Sequence, residues 1–234
     1  MADFGDALSQ ALALVIGFDE TLTEIVALSL RVSLTAVAIA AVIGLPVGAA
    51  LALFEFRGRT FLVFVLNALM GLPPVIVGLM VYLMLSRAGP FGVFGLLFTP
   101  AAMIIAQVLL VTPIIAALTR QVVEDLWVEY EEQLRSLGAG PARAVPELLW
   151  DGRFTLLTAI LAGFGRASAE VGAVMIVGGN IDHVTRVMTT TISLEVSKGN
   201  LALALGLGII LLTLSMSING AAFVVKDMAE RRMG

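Results

Sequence analysis

Residues Glu124–Gly152 read EDLWVEYEEQLRSLGAGPARAVPELLWDG and form the least lipid-like stretch of the chain. Glu131, Glu132 and Arg135 share one helix face through i, i+3 and i+4 spacings, which predicts a short helix. Gly138 and Gly140 end it, and Pro141 suits the first turn of another helix. The pattern predicts a two-helix elbow whose second arm lies near Pro141–Leu149. A tight reversal takes only a few residues, whereas this connection spends 29. One reading is a plain reversal between two apolar segments. The other is a short helix that presents Ala, Val and Leu to a groove on a partner protein.

Outward from this stretch the chain is apolar. Of its 234 residues 59% are hydrophobic and 14% charged, and the mean hydropathy is +1.01. A globule of this length cannot hide such a surplus, because a water-facing surface needs polar cover. A net charge of −4 argues against nucleic acid as a partner. The lack of cysteine excludes disulfides, thiolate metal sites and cysteine nucleophiles, and one histidine, His183, makes a histidine-ligated metal centre unexpected. What remains is an all-α polytopic membrane protein.

A membrane span needs about 20 mostly apolar residues. Five stretches qualify: Thr21–Phe54, Thr60–Ser86, Thr99–Val123, Phe154–Val177 and Leu201–Val225. The first would form a rod of about 50 Å against a hydrocarbon core of about 30 Å, so it must tilt, project or bend at Pro46. Lysine and arginine set the orientation. With the N-terminus outside, Arg57, Arg59, Arg120, Arg135, Arg143, Arg153, Lys226, Arg231 and Arg232 fall inside, against Arg87, Arg186 and Lys198 outside. The expected organisation is an outer-face interfacial helix in residues 1–20 (Phe4–Phe18, with a disordered lead-in as the alternative), five spans over 21–225 with the cytoplasmic elbow at 124–152, and a cytoplasmic tail at 226–234.

The run Glu132-Gln133-Leu134-Arg135-Ser136-Leu137-Gly138-Ala139 resembles the EAA loop of ABC-importer permeases. Glu132 and Gly138 stand at the family spacing and Leu148 at the position of the closing Ile. Gln133 and Leu134 replace the two alanines, and Trp150 and Asp151 replace the closing Leu-Pro. Ser29–Leu34 leading to Gly44-Leu45-Pro46, and Asn67–Gly78 (NALMGLPPVIVG), look like the first two core spans of the type I importer fold. Gly163–Ile181 (GFGRASAEVGAVMIVGGNI), followed by Thr189-Thr190-Thr191-Ile192, is most similar to permeases of the tungstate and molybdate branch.

The resemblance implies a homodimer of permeases in a prokaryotic plasma (inner) membrane. Two cytoplasmic ATPase subunits would serve it from inside and an oxyanion-binding protein from outside. It also implies that the elbow is the ATPase-coupling element, with Glu132, Gly138, Ala139, Arg143 and Leu148 as its residues. The chain has no G-x-x-x-x-G-K-[ST] phosphate loop. ATP and Mg²⁺ are therefore expected in the partner, with no cofactor, metal or catalytic residue in this chain. The expected cargo is a tetrahedral oxyanion, tungstate first, with molybdate or sulfate as alternatives. A stand-alone channel or carrier and a membrane-embedded enzyme are the competing classes. The latter has no H-E-x-x-H motif or Ser–His pairing to support it.

Charges inside spans are costly without a partner or a cavity. Arg166 and Glu170, i and i+4, can pair, and Arg31 lies at a depth Glu170 could reach. Either they form a structural ion pair or an arginine lines the anion path, its fork of donors matching an oxyanion. Asn67, Gly71 and Pro73 are candidates for the pore lining, with a plain core kink as the alternative. Gly163, Gly165, Gly172 and Ala173 form a small-residue face suited to close helix contact. Gly178–Asn200, with Asn180 and Thr190, reads as a solvated loop or as an entrance lined by neutral donors.

Overall fold

The computed structural model describes Gly17 and residues 20–233, so the expected helix at Phe4–Phe18 lies outside the described residues. Those residues form nine α-helices and one short 3-10 turn, with no strand among them: α1 Glu20–Leu53, α2 Arg59–Met70, α3 Pro74–Leu85, the 3-10 turn Gly92–Phe94, α4 Pro100–Ser136, α5 Pro141–Asp151, α6 Arg153–Ser168, α7 Gly172–Gly178, α8 Met188–Lys198 and α9 Leu201–Met233. Three helices, α1, α4 and α9, are each long and apolar enough to cross a membrane. The bent pairs α2–α3 (102°) and α6–α7 (58°) bring the number to as many as five.

Helices α1 and α4 form the central pair, and small residues let them meet. Ala36, Ala40, Gly44, Gly48 and Ala52 recur every four residues along one buried face of α1. A Cβ on Gly44 would stand 3.0 Å from Ile115 Cγ2, and one on Gly48 only 2.4 Å from the Ala116 carbonyl oxygen. Backbone therefore lies on backbone, as in small-xxx-small crossings of membrane helices. Around this axis Val37, Ala40, Val111, Ile115, Phe164 and Ala167 form one core cluster. Val81, Met103, Ala106, Ala173 and Val177 belong to another, where α3 and α7 join α4. Pro46 and Pro113 lie within α1 and α4 without ending either helix.

At the other end of this pair Arg59 donates to the Leu51 and Ala52 carbonyls, 2.8 and 3.3 Å away. These belong to the last turn of α1, where orphan acceptors and the helix dipole favour a cation. Arg59 also pairs with Glu124 at 2.7 Å, and Glu124 takes Arg120 as well. The α1–α2 corner is thereby tied to α4.

Two expectations on helix ends are corrected. The EEQLRS segment is the end of the 37-residue α4 rather than a separate short helix. No breaker stands between Val123 and Gly138, and Leu126, Trp127, Tyr130 and Leu134 carry an apolar seam onto α5. The stretch Phe154–Val177 is two helices, because the chain turns at Ala169–Val171. The tail from Lys226 continues the backbone of α9.

Candidate functional site

Two regions hold most of the residues singled out above. The first is the elbow. Gly138 sits at φ +76° and its N–H donates to Arg135 O, while Ala139 N–H reaches back to Leu134 O at 2.9 Å. This is a Schellman closure, and only a residue free of a Cβ adopts that φ without strain. Pro141 then starts α5, whose buried side is Ala144 and Leu148. Leu148 is only 2% exposed, packed among Ala49, Ala52, Leu53 and Val123. It anchors the elbow to α1 and α4 and so is not on the outward face. Glu132, Gly138, Ala142, Arg143, Pro146 and Glu147 are exposed, and Ala139 is half-buried. Two exposed apolar side chains join them, Leu137 and Trp150. The Arg153 guanidinium lies 4.7 Å from the Trp150 ring centroid. The departure from the family's closing Leu-Pro, which brings in Trp150, is the sequence signal that marks this side chain.

The second region surrounds the α6–α7 break. Glu170, 3% exposed, accepts from Arg166 Nη1 at 2.6 Å and from the Ala173 backbone N–H at 2.9 Å. Breaking a membrane helix frees backbone groups that lipid cannot satisfy. The carboxylate takes up one of them at the start of α7. Thr189 donates to the Glu170 carbonyl, 2.8 Å away. Ser29 of α1 donates to Ile25 O and accepts the Met188 N–H at 2.8 Å, which satisfies the N-terminus of α8. Gln107 of α4 donates to Ala167 O at 3.1 Å, and its own amide oxygen is buried without a hydrogen-bond partner among the described residues.

Glu170, Thr189, Ser29 and Gln107 line a cleft with Ser33, Ser168 and Ser215, with room of about 20 Å³. That holds about one water and not a tetrahedral dianion in this conformation. Ser29, Ser33 and Gln107 were missed by the sequence reading. Their signal is a pair of serines at i and i+4 on α1 and one glutamine inside an apolar helix.

Asn180 and Thr190 belong to the same region but are turned on each other, with 2.8 Å between Oδ1 and Oγ1. Thr190 also accepts the Val187 N–H. Thr185 braces the turn by donating to Gly178 O and accepting from Ile181 N–H. The connection Gly178–Asn200 is therefore a knot of internal hydrogen bonds carrying α8.

Arg31 is exposed on α1 and makes no ion pair among the described residues, and Glu170 pairs with Arg166 instead. Asn67 and Pro73 are exposed along α2 and at the α2–α3 bend, and none of the hydrogen bonds around the α6–α7 break involves them. Of the small-residue face, Gly163 meets Val111 and Gly172 meets Val75, while Gly165 is open.

On the same side His183, at φ +55°, holds Glu24 of α1 at 2.7 Å through Nδ1. That hydrogen bond and the Glu24 charge, with Asp182 adding to them, raise its pKa above the ordinary value of 6.5. A raised folded pKa means that the contact stabilises fully below the unfolded value and is lost as pH rises through the folded one. Because the chain has a single histidine, its ring protons give one NMR titration curve. The midpoint is expected above 6.5, and Glu24→Gln should move it down. An unmoved midpoint would show that the contact is absent in solution.

Residues 44–233 match the family described as binding-protein-dependent transport system inner membrane component. With helices fit to span a bilayer and a match over most of its length, the chain belongs to that family of membrane transport permeases. It is 40% identical over 227 residues to the tungstate uptake system permease protein TupB of Peptoclostridium acidaminophilum, covering 97% of this chain and 100% of that one. A probable anion ABC transporter permease protein of Haloferax volcanii is 38% identical over 91% of this chain and 94% of its own. The TupB protein of Campylobacter jejuni is 36% identical over 84% and 82%.

Proposed function

We propose that the chain is the membrane-spanning permease subunit of an ATP-driven importer of tungstate. The observation that carries this reading is the end-to-end match to the tungstate uptake permease of Peptoclostridium acidaminophilum. The chain works as a homodimer with five spans per copy, its N-terminus outside and its C-terminus in the cytoplasm. An external binding protein delivers the anion, and two ATPase subunits, which hold ATP and Mg²⁺, drive alternating access. Arg166 keeps a part-exposed guanidinium after pairing with Glu170, which suits a weak, passing contact with a dianion. Asn67, Pro73 and Arg31, exposed in a single copy, face the conduit or the second copy.

The test is reconstitution of the permease in liposomes with its ATPase and binding protein. Tungstate uptake should require all three and ATP. Molybdate or sulfate competing equally would move the assignment to oxyanions in general, and flux without the ATPase would remove the importer reading.

The outward face of the elbow is the ATPase dock. Its exposed aromatic is Trp150, and aromatic anchors of this kind carry about 2 kcal/mol or more at interfaces. Trp150→Ala is therefore expected to weaken ATPase association by roughly 30-fold, as measured by co-purification and titration, with the permease still folded. Unchanged association would take Trp150 out of the dock.

A further inference from the structure

We propose that the α3–α4 corner binds one anionic glycerophospholipid, its phosphate at Arg87 and an acyl chain in the apolar groove beside it. The corner is a built structure. Phe91 N–H donates to Met84 O, and Phe98 N–H to Val177 O at 2.9 Å. A Cβ on Gly89 would stand 2.1 Å from Leu83 O, and one on Gly92 2.2 Å from Ser86 O, so the loop is pressed onto the end of α3. The Tyr82 and Phe98 rings meet edge to face with centroids 6.2 Å apart.

The 3-10 turn Gly92–Phe94 divides two recesses that share Leu85. One, of about 360 Å³, is lined only by apolar side chains, among them Val81, Met84, Leu96, Ile105 and Leu109. The other, of about 470 Å³, holds Ser86, Arg87 and the backbone of Gly92 and Gly95. Phe91, Val93 and Phe94 are 43%, 94% and 68% exposed on the rim. An apolar edge this bare belongs in the lipid interface.

The charge chooses the lipid. Arg87 is exposed and has no ion pair among the described residues, and no carboxylate lines either recess. A phosphate therefore finds a fork of donors, while a choline or ethanolamine cation finds no counter-charge. The site needs only that the chain lies in a bilayer, and it stands or falls apart from the identity of the cargo.

Native mass spectrometry of the full transporter in detergent tests it, with equal amounts of dioleoyl phosphatidylglycerol and dioleoyl phosphatidylcholine added. Wild type should retain one phosphatidylglycerol with a preference of about fivefold, the worth of one basic side chain at an anionic surface. Arg87→Gln should bring the two lipids level, Arg87→Lys should keep part of the preference, and Leu109→Trp, which fills the groove, should lower retention of both. Thermal stability confirms that each variant is folded. Equal retention by wild type, an undiminished preference in Arg87→Gln, or displacement of the lipid by inorganic phosphate would overturn the site. So would an Arg87→Gln variant that keeps its lipid but no longer captures the substrate-binding protein, since the rim would then be a protein-docking surface.

Discussion

Gly48→Leu is expected to prevent the permease from assembling as a folded chain. An added Cβ at this position stands 2.4 Å from Ala116 O, 2.7 Å from Thr119 Cβ and 3.0 Å from Arg120 N. All three belong to α4, and two are backbone, so no rotamer change relieves the clash. The central helices must move apart, and that loosens Gly44 on Ile115 one turn away. Overpacking costs typically 1–3 kcal/mol, and a backbone collision lies at or beyond the upper end. Even Gly48→Ala should therefore cost about 3 kcal/mol, a fall in Tm of roughly 6–12 °C for a chain of this size. Gly48→Leu should be degraded or aggregated on detergent extraction. Gly165→Ala is the control, because a Cβ there meets nothing within 4 Å and alanine has the better helix propensity. Fluorescence-detected size exclusion and thermal melts give the readout. A Gly48→Leu variant that melts like wild type would show that α1 and α4 do not cross here.

Glu170→Ala is expected to have the second largest effect. It removes the acceptor of Ala173 N–H at the start of α7 and the partner of Arg166. Removing one partner of a fully buried pair costs about 3–5 kcal/mol. Because the Arg166 left behind is 30% exposed, water takes up part of its charge and the cost here is expected at the lower end, about 3 kcal/mol. Glu170→Gln keeps an oxygen for Ala173 and loses only the charge, so it should be milder. The double variant Arg166→Gln with Glu170→Gln leaves a neutral hydrogen-bonded pair, and folding should recover relative to Arg166→Gln alone. Tungstate transport by that double variant then separates two roles. Recovery with the fold assigns the pair to helix packing, and a folded but inactive transporter assigns the Arg166 charge to the anion's route. A purely additive double-mutant cycle would show that the two side chains do not interact.

Much of the fold was legible because it follows from local rules. The apolar runs, the stop at Gly138 with Pro141 after it, the break at Gly71–Pro73 and the i, i+4 pairing of Arg166 with Glu170 all depend on neighbours within a few residues. Other features were misread for an equally definite reason. The sequence between Phe154 and Val177 contains no proline, so nothing local announces the turn at Ala169–Val171. That turn exists because α7 packs Ala173 against Gly78 of α3 and because Glu170 and Thr189 take up its backbone and side-chain bonds. Leu148 was read as facing a partner because a short amphipathic helix does not announce which side its own chain will cover.

The sequence by itself determined that this chain is helical, lipid-embedded and equipped with a polar elbow, since composition and periodicity act on every residue independently of its distant neighbours. Only the tertiary structure decided which glycines bear the α1–α4 crossing, that both oxygens of Glu170 are engaged within the chain, and that Asn180 and Thr190 bond each other. Those facts depend on the approach of segments far apart in sequence. Such approaches are set by side-chain volume and by satisfying buried polar groups, and residue identity alone does not specify them.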